Sequence, residues 1–242
     1  KVVRLDQEDS VKAWDVHNSN INKNLAFLNE KKFKSLHYKN NKGTDLLVNL
    51  PEDHIWLGGA EKCSEGILFN ANMPTEEVFT LPEANGVNGI VYSSKPLSYG
   101  GNLINDFSLT FKDGKVVDFT AKEGYDTLKQ LLDSDEGAKH LGEVALVPFD
   151  SPISNSNIIF YNTLFDENAA CHFAFGRAYP TCIVNGENLS TEELQAKGAN
   201  ESIIHVDFMI GTEDLEILAV DKDGNEVVKN FRWLQNFGFN VT

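Results

Sequence analysis

No stretch of this sequence is apolar for long: runs such as Val144–Pro148 and Ile158–Tyr161 fall far short of the roughly 20 residues a membrane helix needs. Cysteine is scarce. Cys63, Cys171 and Cys182 form no CxxC pair and are odd in number, which excludes a thiolate zinc cage and a disulfide framework and fits a reducing cytoplasm. Basic residues are few as well, 21 Lys and Arg against 36 Asp and Glu, a formal charge of −15. A chain so acidic offers no phosphate-binding face, so nucleic acid is excluded as a partner. There is no GxSxG elbow, and Cys171 beside His172 is poor geometry for a nucleophile and its base. No basic-then-apolar leader opens the chain, so no signal peptide is expected. An opening at Lys1 rather than Met reads as a fragment or a processed chain.

What is present suits one globular domain: 242 residues, 41% hydrophobic and 24% charged. Val11, Trp14, Ile21, Leu25 and Leu28 fall near helical spacing behind Asp9 or Ser10 as a cap. Phe33–Tyr38 and Asp45–Leu50 read as strands joined by a turn at Asn40–Gly43, and Leu68–Asn72 as a short apolar run. Two Asp-Gly turns, Asp113-Gly114 and Asp223-Gly224, sit between strand patterns at Phe107–Phe111 and Val116–Thr120 and at Leu215–Val220 and Glu226–Phe231. Tyr125–Leu132 reads as a helix, Glu136–His140 as a helical turn, and Ser190 with Glu193 as a capping box. Strands outnumber helices and hairpins dominate. The expected fold is a single α+β domain on a curved, largely antiparallel, barrel-like sheet with flanking helices.

Chemistry concentrates where polar residues interrupt apolar strands. In Ser202–Gly211, His205 and Asp207 stand at i and i+2, on one face of a strand. Burying the pair is costly unless the two bind each other or a cation, and the segment alone supports both readings equally. Glu167 and His172 flank the small residues Ala169 and Ala170; Glu143 heads the apolar strand after Gly142; Glu77 lies in Asn72–Pro82. Each alone has an unremarkable explanation as a surface or strand-end acid. His17, His37, His54 and His140 show no ligand pattern. Four carboxylates with two imidazoles form a mixed oxygen and nitrogen set that suits two hydrolytic divalent cations, with zinc, cobalt and manganese all compatible.

The motifs resemble the thermophilic-type metallo-aminopeptidase family of aminopeptidases T and S. They are Arg4–Asp9, Gly43–Leu46, Trp56–Gly59, Asn72–Thr80, Gly142–Val147, Leu164–Ala170, Cys171–Gly176 and His205–Gly211, in the family's order and nearly end to end. The resemblance implies metal ligation by Glu77, Glu143, Glu167, His172, His205 and Asp207, with Glu77 preferred to Glu76 because the family's glutamate directly precedes Val-Phe-Thr. It implies catalytic roles for Glu143 and Tyr179, and a bridging water attacking the N-terminal bond of peptides with a free N-terminus. It also implies that residues 1–242 correspond to the C-terminal catalytic domain, with the family's N-terminal domain absent from this chain, and that the full-length protein is a homodimer. The competing expectation is an inactive metal-binding or peptide-binding domain.

Overall fold

The computed structural model describes residues 1–221 and 223–229. It opens with helix α1 (Ser10–Lys31), capped by the Asp9 carboxylate accepting from the Lys12 N–H. His17, Ile21, Asn24 and Leu28 form its buried stripe. Val11, expected on that stripe, is exposed, because the first turns precede the stretch that packs on the body. Strands β1 (Ser35–Lys39) and β2 (Asp45–Asn49) follow as an antiparallel hairpin, then the short hairpin of β3 (Ala60–Lys62) and β4 (Leu68–Asn70). Next come β5 (Val78–Thr80), β6 (Val87–Tyr92), β7 (Leu97–Tyr99), β8 (Asn102–Lys112) and β9 (Lys115–Glu123). The Asp113-Gly114 turn joining β8 and β9 has φ of 50° and 81°, the doubly positive conformation that Asp-Gly supplies cheaply. A Cβ at Gly114 would also lie 1.8 Å from the Ala84 carbonyl.

Helix α2 (Tyr125–Leu132) leads to β10 (Leu141–Leu146). Two short helices, α3 (Pro152–Ser156) and α4 (Thr163–Asp166), precede β11 (His172–Gly176). Helix α5 (Thr191–Ala196) begins with the capping box of Ser190 and Glu193. The described chain ends in β12 (His205–Met209), β13 (Glu216–Val220) and β14 (Glu226–Lys229). The last two positions of the Glu226–Phe231 pattern lie outside the described residues.

All strand pairs are antiparallel, as the hairpins imply. The large sheet runs β14-β13-β1-β2-β6-β8-β7, with β9 on the other edge of β8, and a second sheet runs β12-β11-β10-β5. Among the described residues neither order returns to its start, so the α+β, antiparallel domain is built on two open packed sheets rather than a barrel-like one, with the β3–β4 hairpin as a third, separate pair. They pack through aromatic rings: Tyr38 meets Phe173 at 5.0 Å and Phe107 meets Phe208 at 5.7 Å. Leu128, Leu131 and Leu132 of α2 join the same core. Among the described residues no helix is long and apolar enough to cross a membrane.

Candidate metal centre

The second sheet has two chemically opposite faces. Val144, Phe173, Phe175, Val206 and Phe208 point into the core. Alternation sends their neighbours the other way. Ala174 pairs with both Glu143 and Asp207, and Gly176 pairs with His205. Cross-strand partners share a face, and so do residues two apart, so Glu143, His172, His205 and Asp207 all rise from the same surface. Ala174 at their centre leaves room above the sheet, a role no local sequence pattern marks. One irregularity makes this possible. The register shifts between Leu141 and Glu143, so Leu141 stays in the core while Glu143, two residues on, faces away from it. Gly142 forms that bulge; a Cβ there would sit 2.3 Å from the Arg177 carbonyl and 2.4 Å from that of Gly176. Bulges commonly re-aim a side chain beside a functional site.

The structure gathers these side chains into two groups sharing Glu143: Glu77 with Glu143 and His172, and Glu143 with His205 and Asp207. Glu143 turns one oxygen to each imidazole, at 3.4 Å from His172 Nε2 and 3.7 Å from His205 Nε2. Glu77 Oε2 stands 3.1 Å from His172 Nε2, and Asp207 Oδ1 3.4 Å from His205 Nε2. Glu76, the adjacent alternative, turns elsewhere and pairs with Arg4 at 2.8 Å. Glu167 is buried beside the cluster but belongs to neither group. The Tyr179 ring lies 4.6 Å from that of His205 and edge-on to Phe79, half exposed at the rim. The other histidines are engaged elsewhere: His17 with the Thr75 carbonyl, His37 with Asp45, His54 with the Pro51 carbonyl and His140 with that of Ala84.

The donor set fits divalent cations. His172 Nδ1 faces the Ala170 carbonyl at 3.2 Å and His205 Nδ1 that of Arg177 at 2.7 Å. Each carbonyl accepts an Nδ1–H, so Nε2 is the nitrogen that faces the carboxylates and would bind a cation once its proton is lost, the arrangement typical of metal-binding histidine. The close approach of Glu77 Oε2 and His172 Nε2 is not aligned as a hydrogen bond, and both atoms are buried without such a partner. Unsatisfied buried polar atoms are rare without a reason.

Titration behaviour follows from the crowding. Burial pushes Glu143 up to about 7, aided by Asp207 and Glu77, and pushes Glu167 up to about 9, aided by the same two acids. Burial would lower both imidazoles, but facing carboxylates outweigh it. His172 is held well above its ordinary value by Glu143 and Glu77, and His205 is raised to about 9 by Asp207 and Glu143. Burial also opposes ionisation of Asp207, yet His205 and His172 hold it below its usual range. Tyr179 is raised to about 12 by burial and then by Glu143 and Asp207. Without a metal, protons on the imidazoles supply the positive charge these acids require.

Two carboxylates and two imidazoles on one face of a small antiparallel sheet, with Glu77 reaching in from the loop before β5, make a candidate divalent-cation centre. The chain belongs to the thermophilic metalloprotease (M29) family, whose model matches residues 1–232. It is 57% identical over 224 residues to aminopeptidase 2 of Geobacillus stearothermophilus, covering 93% of this chain and 54% of that protein. With aminopeptidase AmpS of Bacillus subtilis it shares 52% over 235 residues, 96% of this chain and 57% of that one. The structure of wild-type AmpT from Thermus thermophilus superposes with a TM-score of 0.85 at 45% identity, over 90% of this chain and 53% of that chain. The chain thus spans little more than half the length of the relatives it matches.

Proposed function

We propose that this chain carries the catalytic domain of a dinuclear metallo-aminopeptidase. The observation that carries the reading is Glu143, whose two oxygens face two different imidazoles and which both three-residue groups share. Glu77, Glu143 and His172 would hold one ion, and Glu143, His205 and Asp207 the second, with Glu167 as a further donor. Hard oxygen with imidazole suits zinc, cobalt or manganese. The names borne by the M29 relatives support peptides with a free N-terminus as substrates. The family likeness also favours a homodimer, and three free thiols favour a reducing cytoplasm.

Bound divalent cations supply Lewis acidity and bring the pKa of water toward neutrality. The chain's own residues do the rest. Glu143 would accept a proton from the attacking water and deliver it to the leaving amine, the general-base role of a carboxylate at such a centre. The Tyr179 hydroxyl, kept protonated across the working pH range, donates a hydrogen bond to the tetrahedral oxyanion.

The test is dialysis of the intact protein against chelator, followed by hydrolysis of an aminoacyl p-nitroanilide with and without added zinc, cobalt or manganese. Activity should vanish, return with metal, and be absent on the N-acetylated substrate. Chelator-resistant activity, or equal cleavage of the blocked substrate, overturns the reading.

A further inference from the structure

Glu77 reaches its neighbours from an insecure position. Pairing of β5 with β10 begins only at Val78, opposite Leu146, so the backbone of Glu77 itself lies outside the ladder. The preceding residues form a loop, and something must hold that loop against the charge of the acids it delivers.

We infer that Asn168 is a positioning residue for the cation centre: its amide clips the loop carrying Glu77 to the helical turn carrying Glu167. Asn168 Oδ1 accepts the Glu76 N–H at 2.6 Å, and its Nδ2 donates to the Leu164 carbonyl at 2.9 Å. An N–H can face only the amide oxygen, so the orientation of the amide is fixed. The Asn168 carbonyl accepts from Ser151 Oγ at 2.7 Å, tying the same turn to the start of α3. The side chain is 1% exposed, so neither bond is exchanged readily with water. On its far side the loop is held by Arg4 on the Glu76 carboxylate and by His17 on the Thr75 carbonyl. A neutral amide suits the task, since a carboxylate there would add a further negative charge.

The inference rests on the reading of Glu77 as a cation ligand, so the experiment begins with the wild-type protein. Zinc affinity is measured by competition with a chromophoric chelator, and cobalt substitution gives a visible spectrum that reports coordination. Asn168→Leu keeps the volume and deletes all three side-chain bonds, including the 3.5 Å one from Nδ2 to the Pro74 carbonyl. It should fold, bind zinc about 10- to 100-fold more weakly, and show an altered cobalt spectrum. Asn168→Ser, which is too short to span the gap, should give the same result and serves if the leucine variant does not fold. Asn40→Leu is the control, because Asn40 is bonded in the same two-way manner, accepting the Thr44 N–H at 3.0 Å and donating to Thr212 Oγ1 at 3.2 Å, in the turn between β1 and β2 of the other sheet. It should lose stability while keeping zinc affinity. Folded Asn168 variants with wild-type affinity and spectrum overturn the proposal. A wild-type protein that binds no cation removes the functional reading itself, and the clip with it.

Discussion

Replacing Glu143 by glutamine separates what this carboxylate does for a cation from what it costs the fold. In the metal-free protein its pKa is about 7 against an ordinary 4.5, chiefly through burial. An acid whose folded value is raised stabilises the fold below its unfolded value and loses that contribution as pH rises through the folded one. At pH 8 the ionised carboxylate therefore weighs on the fold by up to about 3 kcal/mol, since each unit is worth about 1.4 kcal/mol. Glutamine never ionises, although it forfeits the attraction of His172. The metal-free variant should match wild type near pH 4.5 and exceed it at pH 8, by about 2–4 °C in Tm for each kcal/mol retained. Calorimetry in chelator at both pH values reads this directly. Added zinc should then raise the wild-type Tm and leave the variant nearly unmoved, and the variant should be inactive. A metal-free glutamine variant no more stable than wild type at pH 8 would refute the reasoning.

Tyr179→Phe should lower kcat by about 100- to 1,000-fold, the loss expected for one oxyanion donor, with metal content unchanged by elemental analysis; undiminished turnover removes the role. Gly142→Ala should cost about 1–3 kcal/mol by overpacking against the Gly176 and Arg177 carbonyls. It should also weaken zinc binding, because a straightened strand would turn Glu143 off the metal face; urea titration and zinc competition report the two effects separately. His17 is lowered to about 4 by burial, with Arg4 contributing, so between that value and 6.5 only the unfolded chain takes up its proton. Stability should therefore fall as pH drops through this window, by up to about 3 kcal/mol. His17→Gln keeps a donor for the Thr75 carbonyl and should flatten that part of the urea-midpoint profile; an unchanged slope would show that His17 does not cause it.

The sequence reveals its local features well. Tyr125–Leu132, the Ser190 capping box and the Asp113-Gly114 hairpin are governed by residues within a few positions, and each forms where the pattern places it. Long-range features are another matter. Whether hairpins close into a barrel or stack as two open sheets depends on which edges pair, and alternation of polar and apolar residues is the same in both. His205 and Asp207 could be placed on one strand face from their spacing. That Glu143 joins them depends on a bulge at Gly142, and without it strict alternation would put Glu143 on the same face as the buried Leu141. The choice of Glu77 over Glu76 likewise had only family order behind it, whereas in the fold Arg4 engages Glu76 and His172 faces Glu77. Asn168 gives no local signal, because a clip between two loops is a property of their meeting.

The two faces of the small sheet need each other. Mutually repelling acids cannot be assembled on a flexible scaffold, since the strands would part to let water in. Here the reverse side of the same strands is locked by Val144, Phe173, Phe175 and Phe208 against the large sheet, so the energy that holds the acids together comes from apolar burial behind them. That explains why four of the cluster's side chains, those of Glu143, His172, His205 and Asp207, stand on interior-backed strands. It also makes cation binding part of the folding free energy, because neutralising Glu143 and its neighbours relieves a cost that the core otherwise carries alone. A core substitution such as Phe208→Leu should therefore weaken zinc binding as well as stability, even though Phe208 packs on the face of the sheet opposite the acids. A variant that lost stability but kept full zinc affinity would show that the two faces are independent.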